Sequence, residues 1–209
     1  MRRTKEEAEV TKQRLVKAAL DVFSRKGYAD TRLEDIAAEA GVTRGAIYHH
    51  FGNDSNQFNG KAELYNTLIT EAYTRMNPLM EDAISGGINT LDKLRRLMVM
   101  TLMFAATDPE FRAISELTLF KTAIVPELEE GIQRKIQGTH VLVDYIASLV
   151  ETGITAHEMR ATVVPRDVAL ALIGLQNGLL SLWLLDTQLF SLKDRAEAIV
   201  ELFLRGIAA

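Results

Sequence analysis

Cysteine is missing from all 209 residues. Its absence removes disulfides and thiolate metal sites, and it suits a reducing compartment. Only four prolines occur, so little interrupts long helices. No stretch alternates apolar and polar residues with period two over a useful length, which leaves no candidate sheet. Repeats and low-complexity tracts are also lacking. The chemistry of catalysis is thin: there is no Gly-x-Gly-x-x-Gly, no phosphate-binding loop, no His-Glu-x-x-His and no Gly-x-Ser-x-Gly. The four histidines are His49, His50, His140 and His157. None has a histidine partner at i, i+4, so chelation of a metal is not expected. No catalytic residue, metal site or cofactor is therefore assigned. Charges fill the first seventeen positions, so no secretory signal is expected there. Positive charge is in deficit, with 24 Lys and Arg against 28 Asp and Glu, a formal net of −4.

What the chain does have lies at residues 31–51, TRLEDIAAEAGVTRGAIYHHF. Thr31-x-x-Glu34 reads as a capping box that starts a helix. Leu33, Ile36, Ala37 and Ala40 follow at i, i+3, i+4 and i+7, one apolar stripe. Gly41 ends that helix, since glycine adopts the left-handed conformation without steric cost. Thr43 can cap the next helix, in which Ile47 and Phe51 point inward. Arg44 with Tyr48, and Gly45 with His49, are i, i+4 pairs that point elsewhere. An amphipathic helix precedes them, with Leu15, Ala19, Val22 and Phe23 as its inner stripe and Lys26-Gly27 at its close. Helix, glycine turn, helix after a bracing helix is the helix-turn-helix pattern, whose second helix enters the DNA major groove. The charge is uneven in the same sense. Residues 1–51 hold ten basic and eight acidic residues, a net of +2, and residues 52–209 hold fourteen and twenty, a net of −6. A small head can face phosphates while the larger body stays acidic.

These residues resemble the tetracycline-repressor (TetR) family of transcriptional regulators. The similarity is carried by Ala18 to Gly27, Thr31 to Ala40, Gly41-Val42-Thr43, Gly45-Ala46-Ile47-Tyr48, His50-Phe51 and Lys61-Ala62-Glu63-Leu64. The opening RRTKEEAEVTKQRL and the run VTRGAIYHHF are similar to the acriflavine-resistance-regulator branch. The resemblance implies an all-α fold with about nine helices. Residues 1–60 would form a three-helix DNA-binding domain, and residues 61–209 a helical domain for effector binding and dimerisation. It also implies a cytoplasmic homodimer that binds a pseudo-palindromic double-stranded operator and is released by a small hydrophobic molecule. One departure stands out. Family members place two residues between the aromatic that ends the recognition helix and the lysine that opens helix four. Here GNDSNQFNG, residues 52–60, separates Phe51 from Lys61. Its Gly, Asn, Asp and Ser belong to loops, and loop closure costs little per added residue. Asp54, Asn56 and Asn59 lack the spacing of a calcium loop.

Site residues follow from this reading. Arg44 is the expected base reader, because a guanidinium pairs bidentately with guanine. Thr43, Tyr48 and His49 are expected at phosphates or base edges, with Gly45 between them. Thr31 and Arg32 are expected at the backbone, along with Arg2 and Arg3 of the basic arm. His50 packs or meets a phosphate, and in the family Lys61 meets one. The methionine- and aromatic-rich middle of the chain is the candidate effector site: Tyr65, Leu68, Tyr73, Met98, Leu102, Phe120, His140, Gln176 and Asn177. Asn177 is the favoured polar anchor, because a buried amide needs a partner. Residues 168–185, VALALIGLQNGLLSLWLL, are apolar on all sides. Gln176, Asn177 and Ser181 interrupt the run, and a face against a second subunit explains it better than a membrane. Leu172, Leu179, Leu182 and Trp183, with Ile199 and Phe203 of the last helix, are the expected dimer interface. A helical adaptor without sequence-specific DNA binding is the competing reading. It would have no need of Arg44, Tyr48 and His49 exposed together beside a basic arm.

Overall fold

The computed structural model describes residues 5–52, 60–123 and 125–209. Arg2, Arg3 and most of the inserted loop, including Asp54, Asn56 and Asn59, lie outside them. The elements among the described residues are α1 (Lys5–Asp30), α2 (Leu33–Ala40), α3 (Arg44–Phe51), α4 (Gly60–Ser85), α5 (Thr90–Thr107), α6 (Pro109–Phe120), a 3-10 turn (Pro126–Leu128), α7 (Glu129–Thr155), α8 (Pro165–Leu185) and α9 (Leu192–Arg205). The one β-type pairing among them is an isolated bridge, Met159 with Ala208. Two compact units form: Met1–Tyr73 with Ala113–Ile132, and Thr74–Arg112 with Gln133–Ala209.

In the first unit the apolar stripes read from sequence are the core. Leu15, Ala19, Val22 and Phe23 of α1, the four stripe residues of α2, and Ile47 and Phe51 of α3 are all buried. Each large apolar side chain so buried contributes about 1.5–3 kcal/mol. Tyr28 joins them, its ring 5.5 Å from Phe23 and 5.0 Å from Tyr65. Gly27 breaks the regular helix of α1 at φ 77. A Cβ there would stand 3.2 Å from the Lys121 carbonyl oxygen, so the left-handed turn and the close approach both call for glycine.

The second unit is built on α5 packed against α9 and α8. Leu94, Leu97, Met98 and Leu102 of α5 and Ala196, Val200 and Leu204 of α9 are all buried. Side chains cap three of the helices. Asn89 accepts from the Asp92 N–H at 2.8 Å, Asp108 from Phe111 at 2.7 Å, and Ser191 from Asp194 at 3.2 Å. Glu158, distant in sequence, accepts the Thr90 N–H at 2.7 Å and so satisfies another orphan donor of α5.

One local expectation changes. The α2 cap sits one residue later than Thr31: Arg32 is the extended N-cap, and Asp35 accepts its N–H at 3.1 Å. Thr31 is buried and donates its hydroxyl to the Gly27 carbonyl at 2.7 Å, so it closes the preceding turn instead. Pro78 lies within a continuous α4. It is exposed with its neighbours, where a missing ladder bond costs least because solvent reaches the backbone.

Candidate nucleic-acid interface

Gly41, at φ 63, turns α2 into α3. Its N–H bonds the Ala38 carbonyl at 3.1 Å, and the Val42 N–H bonds Ala37 at 2.9 Å, which together close the helix end. Arg14 of α1 donates to the Ala40 carbonyl beside the turn. With Ile47 and Phe51 buried, α3 is fixed in rotation. Thr43, Arg44, Gly45 and His49 are exposed, and Tyr48 and His50 are half-buried. Thr43 holds the N-cap position without a side-chain capping bond. A Cβ on Gly45 would meet only the Thr43 hydroxyl, at 3.7 Å. Another surface could therefore approach the α3 backbone closely there. The His50 ring lies 6.3 Å from that of Phe51, in keeping with a packing role.

Arg44 is held by two neighbours. Its Nε donates to the Tyr48 hydroxyl at 2.9 Å, with a second bond from Nη2, and its guanidinium stands 5.3 Å from the Tyr48 ring centre. Its Nη1 pairs with the Glu34 carboxylate of α2. Other cations of the head are paired too, Arg25 with Glu39 at 2.5 Å and Lys26 with Asp35 at 2.9 Å. The Lys26 ammonium first, then the Arg32 N–H, hold the Asp35 carboxyl below its ordinary value.

Lys61 is engaged by neighbours within the chain. Its ammonium donates to the Tyr28 carbonyl at 3.0 Å and to Thr31 at 3.2 Å, and it lies 4.3 Å from the Tyr28 ring centre. Glu127 stands 3.7 Å away and accepts the Tyr28 hydroxyl at 2.7 Å. Burial first, then Glu127, pushes the Tyr28 phenol above its ordinary range. Lys121 adds two bonds: its carbonyl takes the Tyr28 N–H at 3.0 Å, and its ammonium donates to Ser24 at 2.8 Å. This knot of Tyr28, Lys61, Lys121 and Glu127 was not legible in sequence, because its members lie up to 99 residues apart. Despite the insertion, α4 begins against the helix-turn-helix. A Cβ on Gly60 would meet Ile47 at 3.4 Å and Leu33 at 3.7 Å.

The expected effector residues divide between the units. Tyr65 and Leu68 are buried in the first, where Tyr73 and Phe120 are exposed. In the second, Met98 and Leu102 are buried and His140 is exposed. The premise for Asn177 changes. Asn177 is exposed, while the half-buried Gln176 turns inward and donates to the Met98 carbonyl at 3.3 Å. Neighbours on a helix point about 100° apart, so only one of the two amides can face the core. A groove of about 210 Å³ beside Leu91, Arg95, Glu201 and Arg205 includes none of the expected effector residues.

Of the expected dimer residues, Leu172 and Trp183 are buried within the chain, Leu179, Ile199 and Phe203 are half-buried, and Leu182 is exposed. Arg112 stands over Trp183 at 5.1 Å. Leu170, Leu185 and Leu202 are exposed as well. Among the described residues α8 is long and apolar enough to cross a membrane by length and composition.

Comparison with known proteins agrees over both units. Residues 15–53 match the family of bacterial regulatory proteins described as tetR, and residues 89–208 match the C-terminal region of the MAATS-type transcriptional repressors. The HTH-type transcriptional regulator AcrR of Shigella flexneri is 33% identical, across 97% of this chain and 92% of its own. The probable acrEF/envCD operon repressor of Escherichia coli K12 is 29% identical, across 98% and 90%. Among solved structures, NalD, the secondary repressor of the MexAB-OprM multidrug efflux pump in Pseudomonas aeruginosa, superposes with a TM-score of 0.85. It is 29% identical and covers 98% of both chains.

Proposed function

The chain belongs to the TetR family of bacterial transcriptional regulators, and on that premise we propose a cytoplasmic homodimeric repressor that a small hydrophobic molecule releases from its operator. The observation that carries the DNA-binding part is the outer face of α3. Two buried residues, Ile47 and Phe51, fix the helix, and Thr43, Arg44, Gly45 and His49 are left on the exposed side. Arg44 reads a base, and Tyr48, His49 and Thr43 serve phosphates or base edges. Arg32, exposed at the α2 N-cap, meets the backbone, as do Arg2 and Arg3. For Lys61 to reach a phosphate it must first leave the Tyr28 and Thr31 carbonyls. Thr31, with its hydroxyl committed to Gly27, serves the interface by shaping the turn.

A second copy would cover the exposed leucines of α8 and α9 and set two recognition helices toward half-sites roughly 34–36 Å apart. The division proposed is a DNA-binding domain over residues 1–60 and an effector and dimerisation domain over 61–209. Within the second unit, Met98, Leu102 and Gln176 supply the apolar and amide groups suited to a hydrophobic effector. Since α4 carries Lys61, Tyr65 and Leu68, a ligand that favours a displaced α4 weakens operator binding. By linkage DNA weakens ligand binding by the same factor. NalD, which represses a multidrug efflux pump, points to substrates of such pumps as effectors.

The test is selection from a randomised duplex pool, followed by binding of the selected and a scrambled duplex across salt. The proposal expects one enriched two-fold symmetric sequence and a counterion-release slope. Failure to enrich any sequence would favour the adaptor reading.

A further inference from the structure

Glu34 is an acidic residue on the first turn of α2, facing a helix proposed to lie against a polyanion. Its carboxylate pairs with Arg44, the proposed base reader, and both side chains are more than half exposed, 57% and 52%. Within this chain, that contact reduces the positive field that Arg44 offers a phosphate. We infer that Glu34 is a specificity-determining residue, which holds Arg44 as a reader of base edges and opposes its use as a phosphate contact.

The donor count supports this. A guanidinium has five N–H donors in a fixed fork. Tyr48 takes Nε–H and one from Nη2, and Glu34 takes one from Nη1. One donor remains on each terminal nitrogen, two in all, the number that bidentate contact with guanine O6 and N7 uses. Two anchors on two different helices hold the fork, so less side-chain freedom is lost when a base is bound. The electrostatics act in the same direction. A phosphate is attracted by net charge, and the Glu34–Arg44 pair has none to offer. Guanine O6 and N7 are neutral acceptors, for which donor geometry matters more. The carboxylate thus penalises the wrong partner more than the right one, which is how discrimination by repulsion works. The neighbouring pairs Arg25–Glu39 and Lys26–Asp35 quieten the head further, so little non-specific attraction masks the effect.

This inference rests on the DNA-binding reading above, and the experiment separates the two. Wild type, Glu34→Gln, Arg44→Ala and the double variant are titrated with the pool-selected duplex and its scrambled counterpart over a range of salt. Glu34→Gln is expected to bind the scrambled duplex about fivefold more tightly and to lower the selected-to-scrambled ratio by about fivefold or more. Its salt slope on the scrambled duplex should steepen by about 0.9, one additional phosphate. In the Arg44→Ala background Glu34→Gln should leave the ratio unchanged, because the carboxylate acts through Arg44. An unchanged ratio in the single variant, or an equal fall in both backgrounds, overturns the inference. If the pool yields no selected duplex for the wild type, the DNA-binding reading fails instead.

Discussion

α3 and α8 each leave one face uncovered, and the two faces have opposite chemistry. The face of α3 is polar, and its main cation is already satisfied by Tyr48 and Glu34. The face of α8 is apolar: Leu170, Leu182 and Leu185 are 53%, 51% and 74% exposed. A polar face can wait in water at little cost, because each donor trades water for a partner when the partner arrives. An apolar face loses free energy in proportion to its area for as long as it stays wet. The contrast teaches which contact is permanent. α8 needs constant cover, supplied in the proposal by a second copy, whereas α3 is built to bind and release.

The largest expected effect breaks the permanent contact. Leu182→Asp puts a charge on the outer face of α8 without emptying the core. It should convert a dimer to a monomer in sedimentation at micromolar concentration. Operator affinity should fall by about a hundredfold or more, as the second head loses its effective concentration. An unchanged mass would mean that α8 is covered by something other than its copy. Leu172→Asp sharpens the contrast: Leu172 is fully buried in its own chain, so this variant should unfold the second unit rather than merely separate subunits.

Next comes the transient face. Arg44→Ala should weaken the selected duplex by about tenfold or more and relax preference at one base position. Equal weakening on all duplexes would show that Arg44 touches only phosphate, and the face would then confer affinity without sequence choice.

Lys61→Met belongs to neither face. It deletes the ammonium beneath Tyr28 and Thr31, and should lower stability by about 1–3 kcal/mol in denaturant melts while sequence preference survives. Lost preference at unchanged stability would move Lys61 into the interface.

The smallest effect is at Asp35. Its carboxyl lies below the ordinary value of 3.8, chiefly through Lys26. The stabilisation is therefore fully present above that value and is lost as pH falls through the lowered one. Wild type should melt slightly above Asp35→Asn at neutral pH, and the gap should close in thermal melts carried below pH 3.8. A gap that persisted in acid would mean that shape, and not charge, is the contribution of Asp35.

The two faces were not equally legible. Helical spacing located Leu33, Ile36, Ala37, Ala40, Ile47 and Phe51, all buried, and by elimination it located the outer side of α3. Period alone carries that information, because one turn fixes which residues share a side. α8 has no polar side to subtract, so its sequence could not separate the buried Leu172 from the exposed Leu182, or Gln176 from Asn177. The α2 cap lies one residue later than Thr31, since Thr31 and Arg32 offer adjacent starts and the hydroxyl of Thr31 is taken by the Gly27 carbonyl four residues earlier. The Glu34–Arg44 pair bridges two helices across the turn, and the knot around Tyr28 joins residues far apart in the chain. Neither spacing nor propensity reports such meetings.

That knot has a consequence for the clock of synthesis. The three helices of the helix-turn-helix head are finished early, yet Tyr28 must wait for Lys121 and then for Glu127, 99 residues after it. At ribosomal rates of about 5–20 residues per second, the delay is roughly 5–20 s. During that interval the Tyr28 hydroxyl has no Glu127 carboxylate to accept its hydrogen bond, and the break at Gly27 has no Lys121 carbonyl against it. A head released at that length would carry a complete recognition helix on an unsealed support. For a protein whose task is to silence a gene, the chain must be more than half made before its first fifty residues are secure.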